Sequence, residues 1–116
     1  MTEAGGCSFL LKEIEMEQKK FDAVVNHRFE YCKEILGVKG SVYASKKDRL
    51  KNFYDGASLN GCTPKQYAFM LMTKHLVALK DYIREDRKMD EDFIDEKVSD
   101  IINYAVLIES LNYDEV

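Results

Sequence analysis

Four acidic side chains near the C-terminus form two pairs with a spacing of four residues, Asp81 with Glu85 and Glu96 with Asp100. Residues at i and i+4 lie one turn apart on the same face of a helix. In an antiparallel hairpin with its turn near residue 89, the two pairs face each other. Converging carboxylates repel unless a hard cation neutralises them, so Asp81, Glu96 and Asp100 are predicted Mg²⁺ ligands. The alternative is a set of solvated surface charges, each worth about 0–1 kcal/mol.

Two further polar residues on the same helices could bind a substrate. Lys74 lies one to two turns from Asp81 and could hold a phosphate, and Asn103 could hydrogen-bond a base or sugar edge. A polar stripe on the last helix continues in line into apolar residues, which predicts the floor of a pocket: Glu96, Asp100, Asn103, Leu107, Leu111. His27 and His75 lack a metal-binding spacing, so neither is predicted to be a ligand.

Charge is distributed unevenly along the chain, which has a net charge of −4. Residues 1–80 carry 13 basic and 9 acidic side chains, whereas residues 81–116 carry 4 basic and 12 acidic ones. The acidic part would repel a nucleic-acid backbone. The basic excess between Lys33 and Lys51 suits a small phosphorylated ligand better than a nucleic-acid polymer. A solvated loop with scattered lysines is the alternative.

Composition predicts a small cytoplasmic protein. The chain has 116 residues, of which 46% are hydrophobic and 33% charged, and no apolar run approaches the roughly 18 residues of a membrane span. Residues 1–9 lack a basic stretch followed by an apolar one, so we expect no secretory signal. The three cysteines form no C-x-x-C pair, which favours reduced thiols over a disulfide framework or a zinc site.

Hydrophobic periodicity and helix-capping residues predict an all-α protein, a small antiparallel bundle of about four helices. We expect a flexible tail over residues 1–10 and a single helical domain over residues 11–116. Thr63 and Pro64 suit a helix N-cap and first turn, and Asp90 begins the last helix. The expected elements are a helix at 11–36, an irregular segment at 37–63 with a short helix near 47–54, and helices at 64–87 and 90–111.

The helix predicted at 64–87 is apolar on two sides. One face carries Lys74 and Asp81 within an apolar stripe that includes Met70 and Val77. A second apolar face lies on the far side, formed by Phe69, Met72, Leu76 and Leu79. A helix that is apolar on both sides is buried on both sides, and four short helices rarely achieve that alone. We therefore predict a homodimer or a higher oligomer.

Several short motifs resemble a known family. They are Lys39-Gly40, Tyr43-Ala44, Asp48-Arg49-Leu50, Asn52-Phe53, Lys74-His75, Asp81, Glu96-Lys97, Asp100-Ile101 and Asn103-Tyr104. Over residues 33–111 the chain resembles the nucleotide-modification-associated, MazG-like helical domains of phages and prophages. A remoter similarity connects it to the all-α nucleoside triphosphate pyrophosphohydrolases, which carry E-x-x-E and E-x-x-D pairs around Mg²⁺.

The resemblance implies a phage-encoded, nucleotide-processing protein with Mg²⁺ as its cofactor. The substrate would be bound by residues of the shared motifs: Lys39, Tyr43, Arg49, Asn52, Phe53, Lys74 and Asn103. Arg49 offers a two-pronged fork to phosphate, and Phe53 or Tyr43 could stack on a base. The acidic pairs here are spaced by four residues, where the second pair of the family is spaced by three.

Three functions therefore remain open. The first is a Mg²⁺-dependent nucleoside triphosphate pyrophosphohydrolase, in which the metal bridges phosphate oxygens and activates a water. The second is a protein that binds or sequesters a nucleotide without hydrolysing it, as an anti-defence protein would. The third is a helical protein–protein interaction module without a small ligand.

Overall fold

The computed structural model describes the backbone of residues 4–43 and 50–114, with side chains over 12–37 and 50–114. Five α-helices occur there: α1 (Ala4–Tyr43), α2 (Lys51–Asn60), α3 (Pro64–Arg84), α4 (Glu91–Phe93) and α5 (Ser99–Asp114). A π-helical segment, Ile94–Val98, joins α4 to α5 without a break, because the residues at both junctions keep helical dihedral angles. The described residues contain no strand, which confirms the predicted all-α class.

The chain divides into two units, Met1–Glu30 and Tyr31–Val116. In the first unit, α1 begins at Ala4, so residues 4–10 are helical where we expected a tail. Its described side chains are largely exposed, including Ile14, Phe21 and Val24. The second unit contains the rest of α1 and all of the other helices. No described helix is both long and apolar enough for a transmembrane span.

The predicted irregular segment at 37–63 is largely helical in its described residues, 37–43 and 50–63, whereas residues 44–49 lie outside the described part. Helix α1 continues through Gly37 to Tyr43, because a glycine inside a helix costs only about 1 kcal/mol relative to alanine and does not by itself end the helix. Helix α2 begins at Lys51, four residues later than predicted, and continues to Asn60. Gly61 then ends α2 in the left-handed conformation, with φ of 65°, which glycine adopts without strain.

Local capping chemistry sets the starts of α3 and the last helix as predicted. The Thr63 hydroxyl accepts a hydrogen bond from the Gln66 N–H at 3.1 Å, and the Gln66 side chain accepts one from the Thr63 N–H at 2.9 Å. This is a capping box, with Pro64 at the first helical position. The Asp90 carboxylate accepts from the Phe93 N–H at 2.8 Å and caps the last helix.

Contacts between side chains show that α3 and the last helix form an antiparallel hairpin. The rings of Tyr82 and Phe93 lie 3.9 Å apart near the turn, and Lys65 donates to Asn112 at 3.4 Å at the far end. Helix α2 packs on α3 where Gly56 meets the ring of Tyr67. The most buried apolar residues of the described chain are Cys32, Ala57, Ala68 and Leu111.

Candidate functional site

His75 of α3 faces Asp100 of α5 in the middle of the hairpin. The imidazole Nε2 lies 3.4 Å from the Asp100 carboxylate, and the two side chains are only 14% and 23% exposed. The sequence analysis did not assign a role to His75. A signal was present, because a turn centred near residue 89 places His75 level with Asn103, one turn from Asp100. The pair places two polar side chains in the interior of the bundle.

Asn103 lies on α5, three residues beyond Asp100, and is 5% exposed. Its amide Oδ1 and Nδ2 are buried, as is Nδ1 of His75, and none of these three atoms has a hydrogen-bond partner within residues 12–37 and 50–114. Burying an amide without a partner costs about 1–3 kcal/mol in proteins. Leu111, on the same stripe of α5, is fully buried. The stripe containing Asp100 and Asn103 therefore faces inward, as its continuation into leucines indicated.

Tyr104 connects this polar centre to the aromatic side chains around it. Its ring lies 5.8 Å from the His75 ring and makes an edge-on contact with Phe53 of α2 at 6.5 Å. Burial, then the negative charge of Asp100 and the neighbouring Tyr67, raise the pKa of the Tyr104 phenol above its ordinary value of 10.0. Tyr104 is therefore a neutral hydroxyl at physiological pH. We call His75, Asp100, Asn103 and Tyr104 the polar cluster.

A cleft of about 360 Å³ adjoins the polar cluster through Asp100. Its lining consists of four carboxylates from the last helix and two side chains of α1: Asp92, Asp95, Glu96, Asp100, Tyr31 and Ile35. In an α-helix, positions four residues apart are rotated by about 40° around the helix axis. A π turn contains one more residue than an α turn, so the π-helical segment offsets this rotation. This keeps Asp92, Glu96 and Asp100 on one face. We call this the acidic cleft.

The three predicted Mg²⁺ ligands do not converge. Asp81 is 60% exposed, lies 3.8 Å from Lys80 and is not among the residues that line the acidic cleft. Glu96 accepts a hydrogen bond from the Lys97 ammonium at 2.9 Å, and Asp100 faces His75. Within the part of the chain whose side chains are described, no group of three or more His, Cys, Asp or Glu residues is placed to hold a metal ion. These residues do not fit the Mg²⁺ site that the resemblance implies.

The predicted ligands do not converge because a different face of α3 from the one predicted packs against the last helix. The predicted antiparallel register of the two helices is correct. Helix α3 is apolar on both sides, and the sequence analysis turned the side containing Lys74 and Asp81 toward the last helix. In the structure, His75 and Tyr82 face that helix, seven residues apart. Asp81 is about 100° away from Tyr82 around the helix and points to solvent. Lys74 is exposed for the same reason.

The remaining predicted residues have separate locations. Phe53 is half-buried against Tyr104, whereas Asn52 is exposed on α2. Glu85, expected beside Asp81, accepts a hydrogen bond from Arg87 at 3.2 Å. The predicted phosphate- and base-binding groups of Lys39, Tyr43 and Arg49 lie outside the described side chains.

Comparison of the chain with protein-family models, with curated proteins and with solved structures found no match.

Proposed function

We propose that this chain is a nucleotide-binding protein that uses the polar cluster to recognise its ligand. The observation that carries the proposal is the buried Asn103 amide, whose donor and acceptor both lack a partner in the described part of the chain. A side-chain amide presents a donor beside an acceptor, which matches the hydrogen-bonding edge of a base such as adenine. His75 Nδ1 adds a third polar atom to the same region.

The motifs behind the resemblance support the same location. Phe53, His75, Asp100, Asn103 and Tyr104 come from motifs separated by as many as fifty positions. The structure brings Phe53 and His75 against the Tyr104 ring, and His75 against Asp100. A cluster assembled from distant motif residues is more readily explained by a shared ligand than by packing, since packing alone favours apolar side chains at such positions.

Binding without hydrolysis is favoured over Mg²⁺-dependent catalysis. The predicted metal ligands are paired with Lys80, Lys97 and His75, and Asp81 lies away from the acidic cleft. Hydrolysis stays a prediction that the resemblance implies. A protein that is cytoplasmic, as its composition predicts, and encoded by a phage, as the resemblance implies, would meet the nucleotide pools of its host.

Access to the ligand site requires movement. The Asn103 and His75 atoms without partners are shielded from solvent, so a base reaches them only if neighbouring side chains change rotamer. Tyr104 is half-buried against both His75 and Phe53 and is the side chain best placed to move. We therefore expect ligand binding to perturb the aromatic environment of Tyr104 as well as the Asn103 amide.

A thermal-shift panel of nucleoside mono- and triphosphates, each at millimolar concentration, tests the proposal. A ligand at about 100 times its Kd stabilises the folded state by about 2.7 kcal/mol. We expect at least one nucleotide to raise the melting temperature of the wild type, and Asn103→Leu to lose that shift. Asn112→Leu, an exposed site on the same helix, is the matched control and should keep it. If no nucleotide shifts the wild type, the proposal is refuted.

The same panel, supplied with Mg²⁺ or Mn²⁺ and followed for pyrophosphate release, separates binding from hydrolysis. We expect stabilisation without turnover. Pyrophosphate release by the wild type that is lost in Asp100→Asn would show that the protein is an enzyme. The carboxylates of the acidic cleft would then have to rearrange around the metal ion.

A further inference from the structure

The outer face of α3 carries a continuous apolar stripe. Phe69, Leu76 and Ile83 repeat every seven residues, which is close to two helical turns, and Met70 and Val77 flank them. All five are exposed, from 36% at Leu76 to 62% at Ile83. The stripe extends over about 21 Å of helix, calculated from a rise of 1.5 Å per residue. We call these five residues the α3 stripe.

The polar side chains within this face are compatible with burial. Thr73 lies between the two rows of the stripe, and its hydroxyl donates to the Phe69 carbonyl at 2.8 Å, so burying it leaves no hydrogen bond unmade. Lys80 bends toward Asp81, with its ammonium 3.8 Å from the carboxylate. Its aliphatic stem can cover apolar surface while the charge stays at the rim.

The area of the stripe is enough for the centre of a stable interface. Phe69 would bury on the order of 150–250 Å² if fully covered, and the four smaller side chains are also about a third to two thirds exposed, so together they leave a few hundred Å² of apolar surface. A standard interface covers about 800 Å² per partner, somewhat more than half of it apolar. The largest apolar patch on a monomeric protein is commonly of this size and is often functional.

Charge on the flank of the stripe identifies the partner as a second copy of this chain. Lys74 and Asp81 are opposite charges seven residues apart on the same side of α3, and both are exposed. If two α3 helices pack antiparallel about a two-fold axis near residues 77–78, Lys74 of each copy lies beside Asp81 of the other. One isologous contact therefore produces two reciprocal ion pairs.

We propose that α3 forms an antiparallel homodimer, with the α3 stripe at its centre and two reciprocal Lys74–Asp81 pairs at its rim. This assigns Lys74 and Asp81 to the recognition of a second copy. The polar cluster lies on the side of α3 opposite the α3 stripe, so the dimer does not depend on nucleotide binding.

Sedimentation velocity of the full chain over a range of concentrations tests the dimer. We expect a dimer for the wild type and a monomer for Ile83→Asp. Val106→Asp introduces the same charge at an exposed apolar position on α5 and should remain dimeric. Circular dichroism checks that each variant is folded, and Phe69→Ser provides a second disruption of the stripe. A wild type that is monomeric at every concentration overturns the proposal, as does a dimer that both stripe variants leave unchanged.

A charge exchange tests the antiparallel register. Lys74→Glu and Asp81→Lys each convert two attractive pairs into two repulsive ones. Each should weaken dimerisation at least about tenfold, because the loss of two exposed pairs of about 0.7 kcal/mol each already amounts to about 1.4 kcal/mol. The double variant restores both pairs with the signs exchanged, so its dimer dissociation constant should return to within about threefold of the wild-type value. Additive weakening in the double variant overturns the register. A wild type that dimerises but binds no nucleotide would refute the proposed function and leave the dimer unaffected.

Discussion

Replacing Asn103 by leucine should make the protein more stable. Asn103 is 5% exposed, and both polar atoms of its amide lack a hydrogen-bond partner in the described part of the chain. Leucine has a similar volume and no polar group, so the substitution removes the desolvation cost of the amide, about 1–3 kcal/mol, and adds apolar burial. For a chain of this length, each kcal/mol corresponds to about 4 °C in melting temperature.

Urea denaturation followed by circular dichroism measures the change in the free energy of unfolding. We expect Asn103→Leu to raise the transition midpoint with an unchanged slope, which indicates a change in stability alone. Asn112→Leu makes the same chemical change at an exposed position of α5, where the hydrogen bond from Lys65 is long at 3.4 Å, and it should stay within about 0.5 kcal/mol of the wild type. A residue that reduces stability in this way is typical of a functional site.

The opposite result would refute the reasoning. If Asn103→Leu lowers the free energy of unfolding by more than about 1 kcal/mol, the amide makes hydrogen bonds that stabilise the native fold. Asn103 would then be a structural residue of the core, and the argument for a ligand at this position would lose its main support.

Three further predictions follow from local geometry. Gly56→Ala should lower the free energy of unfolding by about 1–3 kcal/mol in urea denaturation, because the added Cβ overlaps the Tyr67 ring. Adding Tyr67→Leu to the Gly56→Ala variant removes the overlap and should recover part of the loss. Thr63→Ala should cost about 1 kcal/mol by removing the N-cap of α3, whereas Thr63→Ser should be nearly neutral; equal losses would exclude the cap as the cause. Because the pKa of Tyr104 is raised in the folded state, its contribution to stability is complete below pH 10.0 and declines as the pH rises through the folded pKa. Tyr104→Phe should flatten that alkaline decline in melting temperature, and an unchanged decline would show that another group causes it.

Features that depend on local chemistry could be predicted from the sequence. The start of α3 follows from the capping residues Thr63 and Pro64, and the start of the last helix from Asp90. The antiparallel register follows from a short turn near residue 89. The inward direction of Asn103 follows from its place in line with Leu111.

Features that depend on a choice between two similar patterns could not be predicted from the sequence. Because α3 is apolar on two sides, periodicity alone did not decide whether Asp81 or His75 faces the last helix. Gly37 carries the same local signal whether it ends a helix or lies within one. The π-helical segment, which arranges the carboxylates of the acidic cleft, has no signature in the spacing of Ile94–Val98.

The proposed function requires that a nucleotide contacts the polar cluster. Its most direct test is a titration of ¹⁵N-labelled protein, followed at the side-chain amide resonances of Asn103 and the ring resonances of His75. The ligand is the nucleotide that gives the largest thermal shift, and Asn103→Leu identifies the amide signals by their loss. We expect both sets of resonances to shift and to saturate with one common Kd. If the nucleotide stabilises the protein and these resonances stay unchanged, it binds elsewhere, and a ligand site at the polar cluster is excluded.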